Sequence, residues 1–310
     1  MTSYGTKPET VPEVSSQTTH ATGPQEKTLV FGCGYLGKCV AKSLLFSGER
    51  VWATTRSPQR ADALAVDGIE PVIADWCDPA TLGQLPTVNK LLIAVSFDRN
   101  GAFSRRQSQI EGLQNLLHQT HHSTRLCYIS TTGVYHQTDG RWVDESSPAI
   151  PVREGGQVHL EAESFINAWP GHSTVLRLSG IYGPGRVPRA ADVIAGRSIP
   201  SMEKGYLNLI HVHDAARAVI QSWLSAKHSL YLVSDDEPVQ RREFYMEIAR
   251  QTKSPEPAFV TPETGSSKSN RSDSSKRIRN ERMKAELLPS LRYPTYREGL
   301  LDVLGSDIAT

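Results

Sequence analysis

Three glycines near the start of the chain have the spacing that suits pyrophosphate binding. Gly32, Gly34 and Gly37 follow the apolar run 28–31, and apolar residues recur at helical spacing after them. In G-x-G-x-x-G, the first glycine permits a tight turn, the second lets phosphate approach the backbone, and the third lets the helix pack close to the strand. The N-terminus of that helix directs unpaired N–H groups at the phosphates. The predicted pyrophosphate site consists of Gly32, Gly34, Tyr35, Leu36 and Gly37.

The strand that follows this helix indicates which dinucleotide would bind. Residues 51–54 have a strand pattern and are followed by Arg56, with Arg60 one helical turn further on. An acidic residue here would accept a hydrogen bond from the ribose 2′-hydroxyl of NAD, whereas an arginine pairs with the 2′-phosphate of NADP. We therefore predict NADP(H), with NAD as the alternative. Without a cofactor, the three glycines would be an ordinary glycine-rich turn and Arg56 a solvated arginine. The strand, helix and second strand around the glycines favour cofactor binding.

Composition limits the remaining classes of function. The chain has 310 residues, a formal charge of +1 and 38% hydrophobic residues, which suits one large α/β domain or two small ones. The near-neutral charge gives no reason to expect nucleic acid or an anionic membrane as a partner. No apolar run approaches the ~18 residues of a membrane-spanning helix, and no hydrophobic signal core is visible. The four cysteines include no C-x-x-C pair, which is typical of reduced thiols in a cytoplasmic protein.

Strand and helix patterns alternate along most of the chain. This alternation predicts an α/β fold, a doubly wound parallel sheet of the Rossmann type with helices on both faces. Ligands of such sheets bind at the carboxyl ends of the strands. The predicted strands are 28–31, 51–54, 71–76, 90–96, 125–130, 173–178 and 230–233, and the predicted helices are 58–66, 105–119, 160–169, 215–224, 243–251, 278–288 and 296–304.

Two polar segments interrupt this pattern. Residues 1–26 are rich in Thr, Ser, Pro and Glu, so we predict a disordered tail. Residues 262–276 are Ser-rich and predict a flexible loop. The rest of the chain, residues 27–304, is predicted to form a single domain.

Several later stretches, taken together with the glycine turn, resemble the extended short-chain dehydrogenase/reductase superfamily of the NAD(P)-dependent epimerase/dehydratase type. They occur in the order of that family, and the likeness covers roughly residues 27–304. The stretches are Asp75-Trp76, 128–135 (YISTTGVY), 177–185 (RLSGIYGPG), 209–214 (LIHVHD) and 292–300 (RYPTYREGL).

The resemblance implies a role for the residues at several strand ends. Asp75 would bind the adenine with Trp76 beside it, Ala94 and Ser96 would line the cofactor near its ribose, and Ser179 would flank the nicotinamide. A small C-terminal substrate-binding lobe would be built mainly from residues 184–304. Thr131 would take the place of the catalytic Ser or Thr.

The sequence departs from the family at the catalytic Tyr-x-x-x-Lys pair. The stretch 160–163 (LEAE) sets a register that puts Gly155 in the place of the tyrosine and His159 in the place of the lysine. Because glycine cannot transfer a proton, another residue must do so in an active enzyme. Tyr135 is our predicted proton donor, and Tyr182 and His159 are the alternatives; each also has an interpretation as an ordinary wall, packing or surface residue.

Two functions are consistent with this mixture of retained and missing residues. The first is an NADP(H)-dependent oxidoreductase or epimerase/dehydratase-like enzyme acting on a hydroxyl or carbonyl group of a small polar substrate, with a sugar nucleotide as one candidate. The alternative is a catalytically inactive NADP(H)-binding sensor or scaffold. The resemblance also allows a homodimer. No metal site is predicted, because His211 and His213 have no further ligand nearby beyond Asp214.

Overall fold

The computed structural model describes residues 25–261 and 274–306. Most of the predicted tail, 1–26, and most of the predicted loop, 262–276, lie outside these described residues. Within the described ranges, no helix combines the length and apolar character that crossing a bilayer requires.

A parallel sheet of seven strands forms the centre of the described structure. Its strands, numbered along the chain, are β1 (Lys27–Phe31), β2 (Arg50–Thr55), β3 (Glu70–Ile73), β4 (Lys90–Ile93), β5 (Arg125–Thr131), β7 (Ser173–Leu178) and β12 (Leu230–Val233). Their order is β3-β2-β1-β4-β5-β7-β12, and all neighbours are parallel. The chain order reverses between β1 and β4, which leaves a crevice at their carboxyl ends. This sheet confirms the predicted Rossmann fold class.

Helices cover both faces of the sheet. They are α1 (Tyr35–Phe46), α2 (Pro58–Val66), α3 (Gly112–Gln119), α4 (Glu154–Asn167), α5 (Ala190–Ile194), α6 (Val212–Ser225), α7 (Arg241–Thr252), α8 (Glu281–Glu286) and α9 (Tyr296–Ser306). Val40 of α1 and Val219 of α6 belong to one apolar core, and Leu113 of α3 and Ile166 of α4 belong to another. Because both faces are covered, strands such as β4 are buried throughout, and β4 carries the apolar run Leu91, Leu92 and Ile93 after Lys90.

A smaller core is built from residues that follow β7. Tyr182, Phe244 and Leu300 pack together there. The short strand pairs are β8 (Gly180–Tyr182) with β11 (Leu209–His211), β9 (Ile199–Pro200) with β14 (Phe259–Val260), β10 (Tyr206–Leu207) with β13 (Val239–Gln240), and β6 (Trp142–Val143) with β15 (Arg277–Ile278). This core forms the small C-terminal lobe beside the sheet; its part in substrate binding stays a prediction.

The start of α4 differs from its prediction. The helix begins at Glu154 rather than at residue 160. Gly155 and Gly156 have low helix propensity, which hides this first turn in the sequence. A Cβ on Gly156 would lie 2.8 Å from the carbonyl oxygen of Gly133, so only glycine lets the helix start this close to the turn after β5. Because α4 begins at Glu154, residues 155–163, which define the inferred family register, all lie on this helix.

Candidate functional site

The three glycines of the turn differ in the space around them. Gly32 has φ +96°, and a Cβ on it would lie 2.7 Å from the carbonyl carbon of Ala94. A Cβ on Gly37 would lie 2.6 Å from the carbonyl oxygen of Gly32, whereas one on Gly34 would meet nothing within 4 Å. No side chain caps the N-terminus of α1 at Gly34. The first and third glycines are therefore required by the fold, and the second leaves open space at an uncapped helix end, which fits a pyrophosphate.

A cavity of about 360 Å³ lies at the carboxyl ends of β1, β2 and β4. Seven of the predicted cofactor residues line it, which brings together positions more than 60 residues apart in sequence. Those seven residues are Gly32, Gly34, Arg56, Asp75, Trp76, Ala94 and Ser96. The position and lining of this cavity are those expected for the adenosine half of a dinucleotide.

The other four predicted cofactor residues do not line this cavity. Leu36 and Gly37 are buried in the contact between α1 and the sheet. Tyr35 lines a neighbouring groove, and its hydroxyl donates to the carbonyl oxygen of Pro184 at 3.1 Å. Ser179 is buried, and its hydroxyl has no hydrogen-bond partner among the residues that the structure describes.

Arg56 lies between two carboxylates at the rim of the cavity. Its Nη2 donates to Oδ2 of Asp98 at 2.9 Å, and its Nη1 lies 3.9 Å from Oδ2 of Asp75. The hydrogen bond from Arg56 lowers the pKa of Asp98. The side chain of Arg56 is 56% exposed, so it can also reach a ligand. Asp98 follows β4 in a loop, and no spacing in the sequence connected it with Arg56.

Trp76 supports the cavity rather than offering its ring face to a ligand. It is 3% exposed, and its ring stacks on Phe31 at a centroid distance of 5.8 Å. A Cβ on Gly112 would lie 2.6 Å from Trp76 Cδ1, so this glycine makes room for the indole. Asp75 is held beside it, because its Oδ1 accepts a hydrogen bond from the Cys77 N–H at 2.9 Å.

The structure places the two predicted catalytic residues in different surroundings. Thr131 ends β5 and is half-buried, and its Oγ1 accepts a hydrogen bond from the Gly133 N–H at 2.9 Å. Tyr135 is 0% exposed; its hydroxyl donates to the carbonyl oxygen of Asp144 at 2.9 Å and accepts from Arg177 at 2.6 Å. Burial raises the pKa of Tyr135. A phenol held in this way does not face the cleft, which argues against Tyr135 as the proton donor.

Tyr135 belongs to a buried polar network that joins β5, α4 and β7. Arg177 Nη2 donates to Oε2 of Glu163 at 2.6 Å, and Ser130 donates to Oε1 of the same carboxylate at 2.5 Å. The ion pair is almost completely removed from solvent. The guanidinium of Arg177 also lies over the ring of Tyr135, 5.0 Å from its centroid. Each buried polar group in this set has a partner, so the network fixes the packing of the three elements.

Comparison with known proteins agrees with this arrangement. Residues 28–228 match the family model of the NAD dependent epimerase/dehydratase family. The chain belongs to this family. Its function is accordingly NAD(P)-dependent and epimerase/dehydratase-like, with a nicotinamide cofactor.

Individual relatives span most of the chain. Protein YeeZ of Escherichia coli K12 is 29% identical over 234 residues, which is 73% of this chain and 83% of that protein. A solved structure from Silicibacter pomeroyi, described as functionally unknown, is 31% identical with a TM-score of 0.74 and covers 91% of this chain and 99% of its own. UDP-glucose 4-epimerase from Thermotoga maritima, solved with UDP-glucose, is 16% identical over 91% of this chain and 99% of its own, with a TM-score of 0.77. At that identity the likeness shows the fold alone.

In the register inferred from the family, the missing catalytic pair falls on the first two turns of α4. Gly155 is in the first turn, and His159 follows one turn later. Nδ1 of His159 lies 3.0 Å from the hydroxyl of Tyr128. Burial lowers the pKa of His159; the charge of Glu163 opposes this shift, and the weaker effect of Arg105 adds to it. This lowered pKa favours the neutral form of His159.

The other predicted proton donor, Tyr182, lies in the core of the lobe. It is fully buried, and its ring packs edge-on against His211 at a centroid distance of 5.3 Å. His211 ends β11, whereas His213 is already in α6, so the two histidines do not lie on one strand. Among residues 25–261 and 274–306, no group of three or more His, Cys, Asp or Glu side chains could hold a metal ion.

Proposed function

We propose that this chain is an NADP(H)-dependent oxidoreductase or epimerase/dehydratase-like enzyme that acts on a hydroxyl or carbonyl group of a small polar substrate. The observation that favours NADP(H) over NAD(H) is the presence of two guanidinium groups, Arg56 and Arg60, in the lining of the cavity beside β2. Phosphate oxygens accept charge-assisted and bidentate hydrogen bonds from guanidinium groups. When bound, the cofactor supplies hydride exchange with a substrate carbon.

Two parts of the chain would hold the reactants in this proposal. The open space at Gly34 and the N-terminus of α1 would bind the pyrophosphate, as their geometry suggests. Thr131 would bind the reacting oxygen of the substrate. Its Oγ1 already accepts from the Gly133 N–H, which leaves the hydroxyl proton available for donation to a substrate oxygen.

His159 is the remaining candidate for proton exchange. Of the three candidates, Tyr135 and Tyr182 are fully buried, whereas His159 is partly exposed. Its lowered pKa favours the neutral imidazole near pH 7, in which one ring nitrogen carries a proton and the other is an acceptor. Burial raises the pKa of Tyr128, which keeps a phenolic proton next to Nδ1 of His159.

Calorimetric titration of NADP and NAD would test the cofactor preference. In Arg56→Ala, the affinity for NADP should fall by about 1.5–3 kcal/mol more than the affinity for NAD, because only NADP has the 2′-phosphate. Asp98→Ala should strengthen NADP binding, since it removes the carboxylate that now pairs with Arg56. Arg50→Ala is the matched control, because Arg50 pairs with Glu70 at the opposite end of β2. Equal losses for both cofactors in Arg56→Ala would contradict the assignment.

A catalytically inactive NADP(H)-binding sensor or scaffold is the second candidate. The observation that favours it is the burial of the Tyr135 phenol. The inferred register, which puts Gly155 in the place of the family's tyrosine, points the same way. The two functions separate in an assay of NADPH oxidation with aldehydes, ketones and sugar nucleotides; a UDP-sugar deserves inclusion because the Thermotoga maritima neighbour was solved with UDP-glucose. Tight NADPH binding without oxidation would favour the sensor. A homodimer and a cytoplasmic location stay predictions.

A further inference from the structure

Arg105 lies beside the place that the inferred register gives to the family's tyrosine. A Cβ on Gly155 would point toward the guanidinium of Arg105, 3.8 Å from both Cζ and Nη1. Arg105 comes from the segment between β4 and α3, so tertiary packing rather than sequence brings it to the start of α4. A cation from another element therefore lies where a side chain on residue 155 would point.

The guanidinium of Arg105 is held in place on two sides. Its Cζ lies 4.2 Å from the centroid of the Phe97 ring, and its Nε donates to Oε2 of Glu154 at 3.2 Å. The side chain is 20% exposed. Among residues 25–261 and 274–306, neither Nη1 nor Nη2 has a hydrogen-bond partner. The N–H groups of both terminal nitrogens of this largely buried guanidinium are therefore available to a ligand.

The guanidinium of Arg105 lies beside a helix turn that packs against the segment of Thr131. The first turn of α4 packs on the turn after β5, where a Cβ on Gly156 would lie 2.8 Å from the Gly133 carbonyl oxygen. The N–H of Gly133 is bonded to Thr131 Oγ1. The segment that holds Thr131 and the helix turn that faces Arg105 are therefore in direct contact.

We propose that Arg105 forms an anion-binding site beside the first turn of α4. The substrate would carry a carboxylate that pairs with Nη1 and Nη2 of Arg105 next to Thr131. This inference rests on the proposed function of the same cleft. A guanidinium keeps its charge at physiological pH, so it cannot donate a proton as a phenol does, but its planar fork matches a carboxylate. Glu154 already supplies one negative charge to Arg105, so a singly charged carboxylate fits better than a doubly charged phosphate.

Binding of matched acids and amides to the NADP-saturated protein would test this. The probes are pyruvate and benzoylformate, each compared with its neutral amide, and inorganic phosphate; oxidised cofactor prevents turnover during calorimetry. The wild type should bind each acid at least tenfold more tightly than its amide. Arg105→Ala should lose this preference, and Arg105→Lys, which keeps the charge without the fork, should retain only part of it.

Arg106→Ala is the matched control. Arg106 is the next residue in the chain, is exposed and pairs with Glu161, so its loss changes the net charge equally but leaves Arg105 in place. Acid preference should survive in this variant. Thermal unfolding would verify that each variant is folded, and Arg105→Lys keeps the test valid should Arg105→Ala not fold.

The outcomes separate this inference from the proposed function. A wild type that binds NADP but shows no acid preference, or that prefers phosphate, would overturn the carboxylate site and leave the cofactor assignment intact. Preference retained in folded Arg105→Ala would also overturn it. A wild type that binds no NADP would contradict the proposed function itself; the same titrations on the cofactor-free protein would then still decide whether Arg105 selects acids.

Discussion

The cofactor half of the cleft, at the glycine turn, and the reaction half, at Thr131 and the start of α4, differ in how closely their residues match the family. At the glycine turn, a Cβ on Gly32 or Gly37 would meet backbone atoms within 2.7 Å, so the fold itself requires these residues. In the reaction half, the register inferred from the family puts Gly155 in the place of the tyrosine, and among the described residues only Arg105 lies within 4 Å of a Cβ built there, at 3.8 Å. Backbone geometry thus preserves cofactor binding, whereas side-chain chemistry can change without altering the fold. Fold alone therefore does not specify the reaction.

The largest expected effect tests whether the buried network of Arg177, Glu163 and Tyr135 stabilises the fold. Arg177→Met removes one partner of a buried ion pair and leaves Glu163 without its cation. The free energy of unfolding should fall by about 3–5 kcal/mol. Chemical denaturation would measure it, with Arg141→Met, an exposed pair with Asp139, as the control. A loss below about 1 kcal/mol, the range of surface pairs, would mean that the network does not stabilise the fold.

A smaller effect on stability is expected for Tyr135→Phe. The change removes the hydrogen bonds to Asp144 and Arg177 and leaves buried groups without a partner, which typically costs about 1–3 kcal/mol. NADP affinity, and any rate of NADPH oxidation, should stay within about twofold of the wild type. A loss of rate of ~10²–10⁴-fold with unchanged stability is the result of removing a general acid and would restore Tyr135 as the proton donor.

The smallest effect concerns the pH dependence of stability. His159 has a pKa below its ordinary value of 6.5 in the folded chain, so below about pH 6.5 the unfolded chain binds more protons than the folded one. The contribution of His159 is fully present above pH 6.5 and is lost as the pH falls toward the folded pKa. Unfolding free energies of the wild type and His159→Asn should therefore differ in slope on the acidic side. Parallel slopes would show that His159 titrates normally.

The sequence predicted the cofactor half better than the reaction half. Helix α2 and strands β7 and β12 have the predicted bounds, and the glycine turn is followed by the expected helix. These features were predictable because they depend on the spacing of residues that are close in sequence. Arg105 approaches Gly155 from 50 positions away, and Arg177 bonds Tyr135 across 42 positions, so neither relation has a local signal.

The central claim is that the cavity at the glycine turn binds NADP(H), and Gly34→Val tests it most directly. A Cβ on Gly34 meets nothing within 4 Å and its φ is −85°, so the variant should fold with an unchanged melting temperature. Its branched side chain would occupy the space assigned to the pyrophosphate. Calorimetry should show NADP binding to the wild type and at least tenfold weaker binding to the variant, about 1.4 kcal/mol or more. Equal NADP affinity in a folded Gly34→Val variant would contradict the account.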